Sequence, residues 1–496
     1  MTRQGDDVEY GRKTGKLVYG VLETTEDAVD TPYLTEPVEV DSSGYNPQKF
    51  AEAGFPDTMA YAIAEGLAVE KVTADHAGNI QAAIDAAELA GPGSIVWFDQ
   101  PGVYVVGAQL NISERIHFVG HSRNPADTVL QAGANIRILV VNAGATMKAS
   151  ETNRLRENRL LIRDITFDGD GQPISEGIRI INTGVDQELK YATIENCVAY
   201  DMSVFGFSTE GLTGGVMEDI VLDSCEMYRC RNGFKSDSGA ISDFLMTNCL
   251  VHDCDGTGAY MRSHHQGFRV ENSRFENNGE YAMIVEGNTL REAMIRKCHF
   301  AGNGWQVGPN NPGGILFYNA DDADRLDMIT VEDCTFLLGG QFQPFTALDG
   351  DDFGHGINLK LKAEASNFLI QRCDFRWGKH FGFYALARDG EPSWFHDIEI
   401  TECNFRGAGL AGVGCDDMSG YAASIGELCS INAVGNWWGS DDGAADAPTE
   451  LGYTPAEYIG AGNGGSGDAA LRFTPVGYKK VFNEGETNYR AQVLTS

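Results

Sequence analysis

Residues 192–254 read ATIENCVAYDMSVFGFSTEGLTGGVMEDIVLDSCEMYRCRNGFKSDSGAISDFLMTNCLVHDC, and one phrase occurs in them three times. An aliphatic strand ends in a polar residue and a cysteine, a short strand follows, and a glycine opens another strand. Cys197, Cys225 and Cys249 mark the phrase here. Further along, FRVENSRFE carries Ser273 in the cysteine slot. AMIRKCHFA, ITVEDCTFL, FLIQRCDFR and IEITECNFR carry Cys298, Cys334, Cys373 and Cys403. Upstream, LLIRDITFDG puts Ile165 in the slot, and downstream INAVGNWWG puts Trp437 there. Successive slots are 32, 28, 24, 24, 25, 36, 39, 30 and 34 residues apart. A recurring motif of short strands, with no i, i+3, i+4 patterning between them, signals a β-solenoid. The longer steps are loops inserted between the strands of a rung.

The strand after the glycine sets the register. Aligned on Gly206, Gly233, Gly258, Ala282, Gly314, Gly356, Gly382 and Gly412, the next column reads Phe207, Phe234, Ala259, Met283, Ile315, Ile357, Phe383 and Val413. Three residues on it reads Thr209, Ser236, Met261, Val285, Phe317, Leu359, Ala385 and Cys415. The columns between them are mixed and polar. Period-two alternation over eight rungs puts the odd columns inside and the even columns in solvent. Rungs ~4.8 Å apart then stack the cysteines into interior ladders of free, buried thiols, joined by Cys230 and Cys254.

The ends differ. NIQAAIDAAELA (79–90) gathers Ile80, Ala83, Ile84 and Ala87 on one helical face and makes a lid for the open core. Residues 1–69 lack the repeat and read as an attachment or oligomerisation module, 70–445 as the solenoid, and 446–496 as a linker and small β-rich tail. The expected class is all-β, a single-stranded right-handed parallel β-helix with an N-terminal helical cap and small flanking modules.

Composition narrows the function. The 496 residues hold 71 Asp+Glu against 37 Lys+Arg, a net charge of −34. Such a surface repels nucleic acid and anionic lipid. Only 13 of the basic residues are Lys, and an acidic, Lys-poor surface fits a halophile, where salt screens the self-repulsion. No apolar leader core or membrane-length run is visible, so no membrane insertion is expected.

NIQAAIDAA, GPGSIVWFDQPGVYVV, the N-C-x-F rungs and the closing GNWWG resemble the pectin-lyase-like family of right-handed parallel β-helices over roughly 75–450. That resemblance implies the fold, but it spans lyases, glycosidases, epimerases and non-catalytic adhesins. Within the family, a non-repeat N-terminal module with a small C-terminal tail is similar to viral tailspikes. The resemblance and composition together point to a virion spike of a virus of halophilic archaea. It would be made in the host cytoplasm and act extracellularly on a host glycan or glycoprotein. Homo-oligomers are expected, with other virion proteins as partners through the N-terminal module. Secretion without a recognisable leader is the alternative. A polysaccharide lyase or glycosidase is the second functional reading, and a structural decoration protein the third.

Candidate chemistry lies in one even column: Glu210, Asp237, Arg262, Glu286, Tyr318, Lys360, Leu386 and Asp416. Glu210 and Asp237 on neighbouring rungs approach the ~5–5.5 Å carboxyl spacing of retaining glycosidases, and Asp237 and Glu286 the ~6.5–9.5 Å of inverting ones. The competing reading, which we favour, is an exposed ladder with Arg262 pairing acids above and below. The two longest steps insert loops with Trp305, Phe342, Phe345, Asp349, Asp351, Asp352 and His355. With Tyr318, their rings and carboxylates suit the C–H faces and hydroxyls of a sugar. Gly354-His355-Gly356 matches the GHG of polygalacturonases, but the aspartates and Arg-x-Lys that family places on other rungs are missing. His264-His265 lacks nearby ligands. Asp168, Asp170, Asp441 and Asp442 are candidate structural Ca²⁺ ligands that turn chemistry explains equally well. No other cofactor is expected.

Overall fold

In the computed structural model the residues described are 67–142, 159–182, 188–211, 216–286, 289–304, 313–318, 325–337, 355–361, 364–376, 381–387, 394–406 and 411–415, with the short segments 11–13, 16–18, 430–432, 436 and 470–472. They form a single-stranded right-handed parallel β-helix. Each rung lays one strand on each of three faces. In one rung these are Val216–Asp223 on the first face, Glu226–Tyr228 on the second and Asn232–Ser242 on the third. Parallel pairing to the next rung holds on all three, as in Val221 with Leu245, Glu226 with Leu250 and Phe234 with Ala259. The second face is an eleven-stranded sheet from Gly102–Val106 to Asn404–Arg406. The first and third share one continuous sheet.

The chain turns its corners on left-handed residues. The residue before each cysteine slot has positive φ: Asp164, Asn196, Ser224, Asn248, Asn272, Lys297, Asp333, Arg372 and Glu402, all between 48° and 59°. Asp201, Arg229, Asp253 and Asn277 repeat this after the second face. Asp219, Glu292, Met328, Asn367 and Asp397 have positive φ inside the first-face strands themselves, and Asp243 has it just ahead of Leu245–Thr247. Asn and Asp tolerate this conformation best, which accounts for the polar residue ahead of each cysteine.

Inside, the alternation holds. Phe207, Phe234, Ala259, Met283, Ile315, Ile357, Phe383 and Val413 are all buried, as are Thr209, Ser236, Met261, Val285, Phe317, Leu359 and Ala385. On the second face Phe275, Phe300, Phe336, Phe375 and Phe405 stack ring on ring at 5.4, 4.8, 4.6 and 4.9 Å. Each ring buried this way contributes about 1.5–3 kcal/mol.

The nine described cysteines are free and buried. Every slot thiol makes the same contacts: Cys225 Sγ donates to Asp223 O at 3.4 Å and faces Ile194 O of the previous rung at 3.5 Å. One slot needs correction. Asn436, not Trp437, follows Cys403, because its Oδ1 accepts from Cys403 N at 2.9 Å and its Nδ2 donates to Ile400 O at 2.8 Å. The carboxamide supplies both the donor that the thiol supplied and an acceptor for the rung above.

The helix is Ile80–Ala90, capped by Asn79, whose side chain accepts from Ala82 N. Gly91, at φ 113°, ends it. Ile80, Ala83, Ile84 and Ala87 are buried in the same core as the first strands. Val69–Lys71 already pairs with Ile95–Trp97, and Ala470–Arg472 pairs with Ser430–Asn432 in the first-face sheet. Gly11–Lys13 and Lys16–Val18 make a separate antiparallel hairpin.

Candidate functional site

The outer side of the third face carries the predicted column. Pairing runs from Glu210 to Asp237, Arg262, Glu286, Tyr318, Lys360 and Leu386, one residue per rung. Neighbours are therefore ~4.8 Å apart along the helix axis. Two residues earlier runs a second outward column, Arg179, Ser208, Lys235, Tyr260, Ile284, Leu316, Asn358 and Tyr384.

The two columns neutralise each other. Glu176 is 4% exposed and takes Arg137 at 3.2 Å and Arg179 at 3.3 Å. Arg179 also reaches across one rung to Glu210. Lys235 Nζ holds Asp237 at 2.6 Å. The Tyr260 hydroxyl donates to Glu286, whose other oxygen lies 3.6 Å from Arg262. Burial, and then this bond, push the Tyr260 phenol above its ordinary pKa, so it stays a proton donor. Arg262 thus pairs with the acid below it, while Asp237 above is held by Lys235. Arg179, Lys235 and Tyr260 give no signal in sequence, because their column mixes charge, hydroxyl and aliphatic residues.

A carboxylate pair acting as acid and base needs both groups facing the space where the scissile bond lies. Here Glu210, Asp237 and Glu286 are each engaged by a cation or a phenol. The arrangement is a fixed face of alternating donors and acceptors, suited to hydroxyl groups.

Solvent exposure of the even columns holds only in part. Ser208, Leu316, Asn358 and Tyr384 lie on the outward column yet are buried. An outward side chain is therefore not always an exposed one. Asn358 stands out: it is 1% exposed, and neither Nδ2 nor Oδ1 has a hydrogen-bond partner.

Trp305, Phe342, Phe345, Asp349, Asp351, Asp352, Asp416, Asp441 and Asp442 lie outside the described residues. So do the side chains of His264, His265 and His355, although His355 opens a third-face strand opposite Gly313. Asp168 sits at a turn, with Oδ1 accepting from Asp170 N at 2.8 Å and Oδ2 from Gln131 at 3.1 Å. Both oxygens are thus occupied by N–H donors. Among the described residues no three ligating side chains gather for a metal.

The family model described as "Right handed beta helix region" matches residues 144–336. No curated protein matches the chain. Among solved structures, the chain is similar to the catalytic domain of a GH87 α-1,3-glucanase in complex with tetrasaccharides: 13% identity, TM-score 0.46, covering 75% of this chain and 64% of that one. It is also similar to ORF18 of Geobacillus virus E2, at 14% identity and TM-score 0.40, covering 75% and 63%. A third is the A-module of the Azotobacter vinelandii mannuronan C-5 epimerase AlgE4, at 15% identity and TM-score 0.44, covering 68% and 93%. The chain thus spans less than two thirds of the glucanase domain and of the viral protein.

Proposed function

We propose that this chain is a virion spike that recognises a glycan or glycoprotein on the surface of a halophilic archaeal host, binding it on the third face without cleaving it. The observation that carries the reading is the pairing of the ladder: Glu210 with Arg179, Asp237 with Lys235, and Glu286 with Tyr260 and Arg262. A rigid scaffold with paired charges loses little entropy on binding a polyhydroxylated chain and leaves no free carboxylate pair for hydrolysis. Residues before the solenoid would attach the spike to other virion proteins, as one of several copies.

The purified chain, incubated with envelopes of halophilic archaea in molar salt, should be retained and release no sugar. Absence of retention, where whole virions bind, would sink the reading.

The second reading, a polysaccharide lyase or glycosidase, draws support from Tyr260, a protonated phenol beside a carboxylate and a guanidinium. It expects reducing ends or unsaturated sugars in the supernatant, lost in folded Asp237→Asn, Glu286→Gln or Tyr260→Phe chains.

A further inference from the structure

The first rung of the solenoid ends in three strand edges, and nearby side chains attend to two of them. Beside Val69–Lys71, which ends the first-face sheet, Asp75 accepts from Lys71 N at 2.9 Å and Asp99 from Thr73 N at 2.8 Å. On the third face the helix Ile80–Ala90 lies over Leu110–Ile112. Gln81 holds both backbone groups of Asn111, accepting from N at 2.9 Å and donating to O at 3.1 Å, and Glu88 accepts from Ser113 N. The second-face edge is different. Gly102–Val106 ends that sheet and pairs only with Thr128–Ala132. Val106 O accepts from Gly133 N at 2.9 Å, which sets the phase of the ladder. Tyr104 and Val106 therefore bond to that strand, and the N–H and C=O of Val103 and Val105 aim away from it. The side chains of Val103 and Val105 are 60% and 67% exposed. An open edge with exposed valines is a template for another strand.

One described element has the matching need. Gly11–Lys13 and Lys16–Val18 form an antiparallel hairpin that pairs with no other described strand, and two strands alone are marginal in water. Lys13 and Lys16 flank a two-residue turn and exchange both hydrogen bonds, so Leu17 presents its N–H and C=O on the outer edge. Arg12, Lys13 and Lys16 give residues 11–18 three positive charges and no negative one in a chain of net −34. The field of the rest of the chain draws such a segment in.

We propose that Lys16–Val18 adds to the free edge of Gly102–Val106 and extends the second-face sheet by β-augmentation. The occupant is this chain's own hairpin. The chain enters the solenoid at Val69–Lys71, at the same end as Gly102–Val106. The 50 residues from 19 to 68 can span up to about 170 Å, so reach does not limit the pairing. Tethering also makes the pairing intramolecular, which favours it over a strand from a second copy. It holds whether the chain binds a glycan or cleaves one.

Proline separates this pairing from the two folds it joins. At position 105 it removes an N–H that the solenoid does not use, and at position 17 one that the hairpin does not use. Hydrogen exchange on the full chain, read by mass spectrometry, should show the Val103 and Val105 amides exchanging at least about tenfold slower in the wild type than in Leu17→Pro. Val105→Pro should speed exchange across residues 11–18 to the same degree. Glu226–Tyr228 should keep its wild-type protection in both variants, which shows that the solenoid is folded. If Val105→Pro does not fold, Leu17→Pro, outside the solenoid, carries the comparison alone.

Equal rates at Val103 and Val105 in the wild type and Leu17→Pro would overturn the pairing. Fast in both means an open edge, and slow in both means a different cover. A folded Val105→Pro chain that leaves residues 11–18 as protected as before would overturn it too. So would slow exchange that turns fast on dilution, which assigns the edge to a second copy.

Discussion

His252 lies flat against Tyr228, ring centroids 5.1 Å apart, with both nitrogens facing carboxylates. Nε2 is 3.0 Å from Glu226 and Nδ1 is 2.7 Å from Asp253, and Glu276 follows one rung below. The hydrogen bond to Glu226 is the chief reason its pKa is raised, with Asp253 adding to it against partial burial. A raised folded-state value means that the protonated ring stabilises the fold. That stability is fully present below the ordinary histidine value of about 6.5 and is lost as pH rises through the folded value. His299 runs the other way, because burial lowers its pKa and protonating it costs stability as pH falls. Glu226 and Asp253 are 41% and 52% exposed, so the His252 pairs contribute under about 1 kcal/mol. His252→Gln should therefore lower the unfolding midpoint at pH 5.5 and leave it nearly unchanged at pH 8.5. An equal loss at both pH values would assign the residue to packing alone.

At the scale of the strand, what recurs is a close approach between rungs. A Cβ on Gly206 would stand 2.7 Å from Gly233 O, on Gly233 2.6 Å from Gly258 O, and on Gly258 2.6 Å from Ala282 O. The carbonyl it meets is itself held in the ladder and cannot swing away. Gly233→Ala, which also drives its methyl into Val251, should cost about 1–3 kcal/mol in chemical denaturation. A neutral result would show that the rungs can slide apart locally. The same repetition explains what sequence makes legible. A column such as Phe207, Phe234 and Ala259 shows as period-two alternation because each residue faces one core, and the cysteine slot shows because stacking repeats one environment. Asn436 escapes that reading because it fills a thiol's place through hydrogen bonds rather than hydrophobicity, and the neighbouring tryptophan is the more conspicuous apolar residue. Asn358 escapes it for a different reason. Alternation correctly assigns it to the outward side, but an outward side chain can still be buried, and no period within the strand encodes which one is. The ladder from Glu210 to Lys360 was legible as a column, while its partners Arg179, Lys235 and Tyr260 were not, since pairing depends on which residues meet across rungs.

Over the whole molecule two electrostatic terms oppose each other. The 71 acids and 37 bases leave −34 on a chain of 496 residues, so nearly half of the acids have no base to face and repel one another across the surface. Against this stand local pairs such as Arg372 with Asp333 at 2.7 Å and Glu332 at 2.8 Å, and Lys190 with Glu218 at 2.6 Å. Half-buried pairs of this kind are worth on the order of 1 kcal/mol each, and salt weakens them. The repulsion is long-ranged and sums over every unpaired acid. The Debye length falls from ~10 Å at 0.1 M salt to ~3 Å at 1 M, so added salt removes most of the repulsion while short contacts survive in part. The parallel ladder itself is neutral, and excluded salts strengthen its apolar core. The unfolding midpoint should therefore climb steadily as sodium chloride rises from about 0.1 M to 1 M. Potassium chloride at equal ionic strength should give nearly the same gain, because screening does not depend on the cation. A midpoint that falls with salt would mean that the paired ladder, rather than the unpaired acids, dominates the electrostatics of the fold. A gain with one cation only would point instead to specific cation binding.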